Sequence, residues 1–349
     1  MLTRALMIAA LIAACTPPAD DPASTARVAP AYEAGWPFAP IDAAPPDAAP
    51  DAAPDAEPDA ETGDWPTPRA VFTTPGYLQI GTFNIDWLGA RFESEFTPRN
   101  AVDYAMIARL LVEWDIDVLA LQEIEGAAAL DLLGLPRHWR AVVGRSGWSQ
   151  NPAILYRSDR VTLGEPREIH LPDTTASSKD PLVVEVTPLE GGPMFTLVVV
   201  HLHPYGDAES TAYRAAQVAH LHQWLDDGLP GAPPPRWPVV LAGDFNDSIE
   251  GIRRGQTALG PLIDDPRLTF IEDECPDPTE LHFNSRIDHV IASAELAPVL
   301  RPPPGEPACT VIHFDETSPY ADYPGGYRDR QTISTHRPVF AWMRSIMPN

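Results

Sequence analysis

The chain has 349 residues, carries 24 Lys and Arg against 49 Asp and Glu for a formal net charge of −25, and contains 41 prolines but only 3 cysteines. This balance argues against tight, non-specific nucleic-acid binding over a basic face, which depends on Lys and Arg neutralising phosphates; it leaves room for an enzyme that uses local arginines and bound cations. So few cysteines, without clustered spacing, argue against a structural zinc site.

Residues 1–14 hold Arg4 and then an apolar run, Ala5 to Ala14, too short to cross a bilayer, which reads as a signal peptide. The run ends Leu11-Ile12-Ala13-Ala14-Cys15, which resembles the lipobox of bacterial lipoproteins. That resemblance implies cleavage before Cys15, its lipidation, and anchorage at an outer membrane or cell surface, on the periplasmic or extracellular side, by acyl chains and not by a spanning helix. An ordinary secretory peptide is the plainer alternative. Residues 15–75 are rich in Pro, Ala and Asp, with Asp-Ala-Ala-Pro repeated between Asp47 and Asp59. Such a composition buries too little apolar surface to offset ordering entropy, so it reads as an extended stalk reaching on the order of 100 Å, or as an interaction tail. The remaining cysteines, Cys275 and Cys309, form an even pair in an exported chain, and a disulfide is the simplest expectation.

Residues 76–349 read as one globular domain in which strands and helices interleave. Tyr77 to Asn84 alternates apolar residues and turns polar at its end, a strand signal. A helical period runs from about Arg99 to Glu113, with Met106, Ile107, Leu110 and Leu111 on one side. Asp117 to Glu123 reads as a buried strand, and further strands are expected at 153–156, 182–186 and 195–201. A longer helix spans roughly Glu209 to Leu225, and strands return at 239–242, 287–292 and 339–343. Short strands without regular βαβ spacing favour packed sheets with outer helices over a doubly wound parallel sheet.

The strand ends carry the chemistry. Val239-Val240-Leu241 is an unbroken apolar run that suits a strand covered on both faces, and it delivers Gly243-Asp244-Phe245-Asn246 to the next loop. Gly243 reads as the point where the backbone leaves the strand, and an extended chain points Asp244 and Asn246 to one side. A tight turn built on Asp and Asn is the competing reading. Asn84 and Asp86 follow the first strand, Gln122 and Glu123 end the second, and His201 and His203 end a later one. Asp288 enters one strand, and Ser334-Thr335-His336-Arg337-Pro338 precedes the last. Polar ends recurring in this order suggest a common rim.

Taken together, Phe83-Asn84-Ile85-Asp86, Leu121-Gln122-Glu123, Val200-His201-Leu202, Gly243-Asp244-Phe245-Asn246, Ile287-Asp288-His289 and Ser334-Thr335-His336-Arg337-Pro338-Val339 resemble the successive motifs of the endonuclease/exonuclease/phosphatase family, the deoxyribonuclease I-like fold. The resemblance implies an α+β fold, a four-layer α/β/β/α sandwich of two packed mixed sheets with outer helices. It also implies Mg²⁺-dependent phosphoester hydrolysis, with Mn²⁺ or Ca²⁺ as alternatives. Such a reaction needs a cation, an activated water and donors that spread the developing charge on phosphorus. In these terms Glu123 is the principal Mg²⁺ ligand, and Asn84 helps to hold that metal or a phosphate oxygen. Asp244 activates the water and Asn246 donates to the phosphate. His336 contacts phosphate or passes a proton, oriented by Asp288, while His201 binds phosphate or acts as a general acid.

One departure stands out. The family usually has Ser-Asp-His before the last strand, and Thr335 replaces that Asp, which weakens the acidic surroundings of the metal. His203 is an extra histidine with no role beyond lining the site. Arg91, Arg145 and Trp148 fall in loops near the rim, where they can meet a phosphate backbone or stack on a base, or stand as plain solvated residues. DNA is the first substrate expected of an exported, stalked enzyme. A phospholipid or inositol phosphate is the second, with Tyr320 to Tyr327 as a candidate docking loop, and a noncatalytic surface-binding lipoprotein is the third. No protein partner is expected.

Overall fold

A computed structural model of the chain describes residues 74–92, 99–171, 179–249, 257–271, 275, 277–316 and 333–345. The signal segment, Cys15, the stalk as far as residue 73 and the loop from Tyr320 to Tyr327 lie outside these residues. Two βαβ units organise the fold. In the first, β1 (Tyr77–Leu88) runs through α1 (Ala101–Trp114) into the parallel β2 (Val118–Ile124). In the second, β8 (Phe195–His201) runs through α3 (Ala208–Asp227) into the parallel β9 (Val239–Asp244). A parallel pair needs such a crossover, because its strands must start at the same edge.

Antiparallel strands extend each pair. β3 (Trp139–Val143), β4 (Asn151–Arg157), β12 (Cys309–Val311) and β13 (Val339–Arg344) complete a six-stranded sheet of order β12-β13-β1-β2-β4-β3. β5 (Val161–Leu163), β7 (Leu182–Pro188), β10 (Leu268–Phe270) and β11 (Asp288–Ser293) complete a seven-stranded sheet of order β10-β11-β9-β8-β7-β5, with β6 (Arg167–Glu168) paired to β7. Short α2 (Ala127–Asp131) and α4 (Gly260–Ile263) fill the connections. Asn100 starts α1 through a capping box, accepting from the Val102 and Asp103 N–H groups while Asp103 accepts from the Asn100 N–H.

The strand period of two sorts side chains into layers. Phe83, Leu119, Leu121 and Phe340 join α1 residues Ile107, Leu110 and Leu111 in one outer core. Val198, Val200, Leu241 and Ile291 join Val218, Leu221 and Trp224 of α3 in the other. Between the sheets lie Leu78, Ile80, Val118, Ala120, Leu197, Val199, Val240, Ala242, Val290 and Ala292. The result is the expected α/β/β/α sandwich, and the central layer positions the site. Continuing that stripe by two residues at a time leads to Asn84 on β1, His201 on β8 and Asp244 on β9, and backwards to Asp288 on β11.

Cys275 and Cys309 are joined in a disulfide with Cα atoms 5.8 Å apart, tying the connection before β11 to the edge strand β12 of the opposite sheet. Among the described residues no helix is long and apolar enough to cross a membrane.

Candidate active site

Asn84, Glu123, His201, Asp244, Asp288 and His336 converge at the open end of the inter-sheet layer. The Asn84 amide Nδ2 donates to Asp244 Oδ2 at 2.9 Å and to Glu123 Oε1 at 3.3 Å. His201 Nε2 lies 3.7 Å from Glu123 Oε1 and 3.8 Å from Asp244 Oδ2. On the other side, His336 Nε2 stands 4.0 Å from Asp244 Oδ2, and its Nδ1 meets Asp288 Oδ2 at 2.9 Å. Ser334 builds the turn that brings His336 in: its Oγ donates to the Asn84 carbonyl at 2.6 Å and accepts from the His336 N–H at 2.9 Å.

Glu123 reaches this cluster only because the backbone breaks the strand rule. Strict alternation after Leu119 and Leu121 would turn it toward α1. Instead Glu123 adopts a left-handed φ of 65°, where the β2–β4 register shifts between Leu121 and Ile124. Asp86 and Trp87 are left-handed too, at φ 56° and 59°, where the β1–β2 register shifts. Such bulges re-aim side chains, and each left-handed non-glycine residue costs of order 1–3 kcal/mol. Buried Arg99 holds the β1 distortion in place, donating to the carbonyls of Ile85, Trp87 and Ile333 at 2.8, 3.0 and 2.9 Å.

The Gly243-Asp244-Phe245-Asn246 turn differs from its sequence reading in two ways. Gly243 does not release the chain from the strand. It pairs with Val200 and His289 inside the sheet, and a Cβ there would lie 1.9 Å from the Val200 carbonyl oxygen, so close backbone approach demands glycine. Nor is the chain extended through Asn246, which is left-handed at φ 50°. Asp244 Oδ1 accepts the Asn246 N–H at 2.8 Å, so the turn itself brings the pair together. One N–H of the Asn246 amide is held by the Leu202 carbonyl at 3.0 Å, which aims the rest of the group.

Burial tunes the ionisable groups. Asp244 is pushed up to about 7, first by burial and then by the neighbouring Asp288. Glu123 is also raised by burial, against the attraction of Lys179 and His336. For His336 burial disfavours the cation, but the Asp288 carboxylate, with Asp244 behind it, outweighs this and raises the imidazole to about 10. His201 is driven the other way by burial and by the cations of Lys179 and His336, so it stays neutral. A neutral imidazole donates a hydrogen bond but is a poor proton source.

The donor set fits a hard divalent cation. Atoms of Asp244, Asp288 and His336 lie within 4.8 Å of one another, Asp288 Oδ1 is buried without a hydrogen-bond partner among the described residues, and Glu123 adds a third carboxylate. Asn84 Oδ1 accepts the Asp86 N–H at 3.0 Å, while its Nδ2 faces the carboxylates of the cluster. Thr335, where the usual acid is missing, is half-buried, and its carbonyl accepts the Leu281 N–H at 2.9 Å. Gln122 does not enter the site; it is buried and accepts from Thr82 Oγ1 at 3.1 Å. His203 lies past the strand end, its N–H bonded to Gln217 and its ring near Tyr205 and Tyr213. Arg91 and Arg145 are exposed on rim loops.

Lys179 was not singled out by any motif, yet it is buried at the site, where burial lowers its basicity and Glu123 and Asp244 restore part of it. A signal was present: it is the only lysine in the chain, every other basic side chain being arginine or histidine.

The model for the endonuclease/exonuclease/phosphatase family matches residues 81–318, most of the described domain. The chain belongs to that family. It is therefore a hydrolase of phosphoester bonds, in a family that is typically dependent on divalent metal. Among solved structures it is similar to a humanized D. rerio TDP2, at 18% identity over 76% of this chain and 98% of that one, with a TM-score of 0.52. The human nocturnin catalytic domain with bound sulfate aligns at 16% identity over 76% and 93%, with a TM-score of 0.51. A mannosyl-6-phosphatase from Bacteroides thetaiotaomicron VPI-5482 aligns at 17% over 75% and 98%, with a TM-score of 0.51. At these identities the likeness establishes the fold alone. No curated protein matches the chain in sequence.

Proposed function

We propose that this family member is an exported, membrane-anchored, metal-dependent nuclease that hydrolyses DNA phosphodiesters. The observation that carries the hydrolytic part is the Asp244 carboxylate, clamped by Asn84 and the Asn246 N–H and flanked by neutral His201 and by His336 backed by Asp288. Export is supported by the signal-like segment, the lipobox-like run before Cys15 and the Cys275–Cys309 disulfide. DNA is supported by the rim arginines and by a TDP2 structure solved with a single-strand DNA product.

Glu123, with Asp244 and Asp288 nearby, would hold Mg²⁺. When bound, that ion would polarise the phosphate and favour ionised carboxylates around it. The chain's own groups do the rest. Asp244 takes the proton from the attacking water. Asn84 holds the Asp244 and Glu123 carboxylates in place, and the second N–H of the Asn246 amide, His201 and the Lys179 ammonium donate to the phosphate oxygens as charge develops. His336, cationic and fixed by Asp288, supplies a proton toward the leaving oxygen. A panel of plasmid DNA, RNA, phospholipids and inositol phosphates, each with Mg²⁺, Mn²⁺ and Ca²⁺, tests the reading. Plasmid cleavage that falls by several orders of magnitude in Asp244→Ala and in His336→Ala is the expected result. Cleavage of a lipid or inositol phosphate alone would replace the nuclease reading, and no cleavage of any member would remove it.

A further inference from the structure

A cavity of about 900 Å³ leads away from the catalytic rim along the edge strand β3, lined by Arg137, Arg140, Arg145, Trp148, Trp139 and Glu125 among others. Its near end adjoins the catalytic cluster, because Glu125 lies two residues after Glu123 and the β3–β4 turn sits beside the end of β2, where Asn151 pairs with Ile124. Five residues of strand carry it about 17 Å from that end.

The near end is built to present side chains. Glu168 Oε1 accepts the N–H groups of Arg145 and Ser146 at 2.8 and 2.9 Å and the Ser146 hydroxyl at 2.6 Å. Asn151 Nδ2 donates to the carbonyls of Ile124, Glu125 and Trp148 at 3.2, 3.2 and 2.8 Å, binding the turn to the end of β2. The tight turn needs Gly147, where a Cβ would lie 2.3 Å from the Gln150 carbonyl oxygen. With the backbone so fixed, Trp148 adopts a left-handed φ of 58° and leaves its side chain 82% exposed. Arg140 and Arg145 are exposed and make no ion pair among the described residues, whereas Arg157, Arg160, Arg267 and Arg337 are all engaged by carboxylates. In so acidic a chain, the unpaired Arg140 and Arg145 guanidiniums beside an exposed indole on a fixed turn mark a place for a flexible polyanion with flat faces.

We infer that this groove binds an unpaired polynucleotide strand, with a base stacked on Trp148 and successive phosphates at Arg145 and Arg140, so that single-stranded DNA is the preferred substrate. A duplex hides its base faces, and stacking on an aromatic platform needs them exposed. An anionic bilayer would meet one exposed aromatic side chain here, beside a groove and not on an apolar wedge. The inference rests on the nuclease reading for its connection to catalysis, but binding can be read without turnover.

The test uses the full chain in EDTA, with a fluorescent single-stranded oligonucleotide, the same sequence as duplex, and vesicles of phosphatidylcholine with phosphatidylserine. The expected result is binding of the single strand in preference to duplex and vesicles, weakened about tenfold in Trp148→Ala and restored toward wild type in Trp148→Phe. Arg140→Gln should lower the slope of log affinity against log salt by about 0.7. In Mg²⁺, wild-type kcat/KM should rise with oligonucleotide length, and the rise should flatten in the Arg140→Gln, Trp148→Ala double variant. Equal binding of duplex, preference for vesicles, or wild-type affinity in both variants would overturn the groove assignment. If DNA cleavage persists in those cases, the nuclease reading stands without it. If the single strand binds through Trp148 but is not cut, the groove stands and the nuclease reading falls.

Discussion

Asp244 and His336 share a neighbour, Asp288, and that sharing sets a testable pH behaviour. The like charge of Asp288 helps to hold Asp244 up near 7, and its opposite charge helps to hold His336 up near 10. In the proposed mechanism Asp244 acts deprotonated, so activity falls as pH drops through its titration. His336 acts protonated, so activity falls again as pH rises through its own. A bell-shaped kcat/KM profile is expected, with bound metal moving the acid limb lower. Asp288→Asn should move both limbs to lower pH, since it removes a repulsion from Asp244 and a counter-ion from His336. A profile whose limbs stay in place in Asp288→Asn would contradict this pairing. At this scale the sequence named nearly every group now seen in the cluster, because family motifs specify residue types in order. It passed over Lys179, which has no motif around it, and Arg99, whose hydrogen bonds to strand carbonyls leave no trace in sequence.

The strands found from sequence and those missed differ in position within the sheets. Interior strands such as β8 and β9 carry unbroken apolar runs and are legible in the sequence, whereas β3, β5, β10 and β12 leave no such signal. All of these are sheet edges, short and with part of their length facing solvent, so hydrophobic periodicity barely registers there. Bulges are equally silent. Glu123 would face the helix layer on a regular strand, and only its left-handed backbone turns it to the Asn84–Asp244 cluster. Gly243 gives the element-scale prediction. Its Cα faces the Val200 carbonyl too closely for a side chain, so Gly243→Ala must part β8 from β9. A loss of stability on the order of 2–3 kcal/mol is expected by denaturant titration, with activity lost beyond that because His201 and Asp244 sit on the two strands. Unchanged stability and rate would show that the two strands have room there.

For the whole molecule, the two βαβ units each supply part of the site, so catalysis depends on how the sheets face each other. The Cys275–Cys309 disulfide links a connection of one sheet to an edge strand of the other and closes 34 residues of sequence. Chain entropy for such a loop gives about 3–4 kcal/mol of stabilisation. Reduction, or Cys275→Ser with Cys309→Ser, should therefore lower the unfolding free energy by about that amount. No change on reduction would mean that sheet packing alone sets the register of the halves.

Divalent-metal dependence bears most directly on the whole account. Purified full chain is incubated with plasmid DNA in Mg²⁺, in EDTA, and in Mg²⁺ again after EDTA, beside Glu123→Gln under the same conditions. Cleavage in Mg²⁺, none in EDTA, recovery on readdition, and a Glu123→Gln variant that needs far more Mg²⁺ for a much lower rate are the expected results. Cleavage that persists in EDTA, or a Glu123→Gln variant with wild-type rate and wild-type Mg²⁺ requirement, would contradict divalent-metal dependence through Glu123.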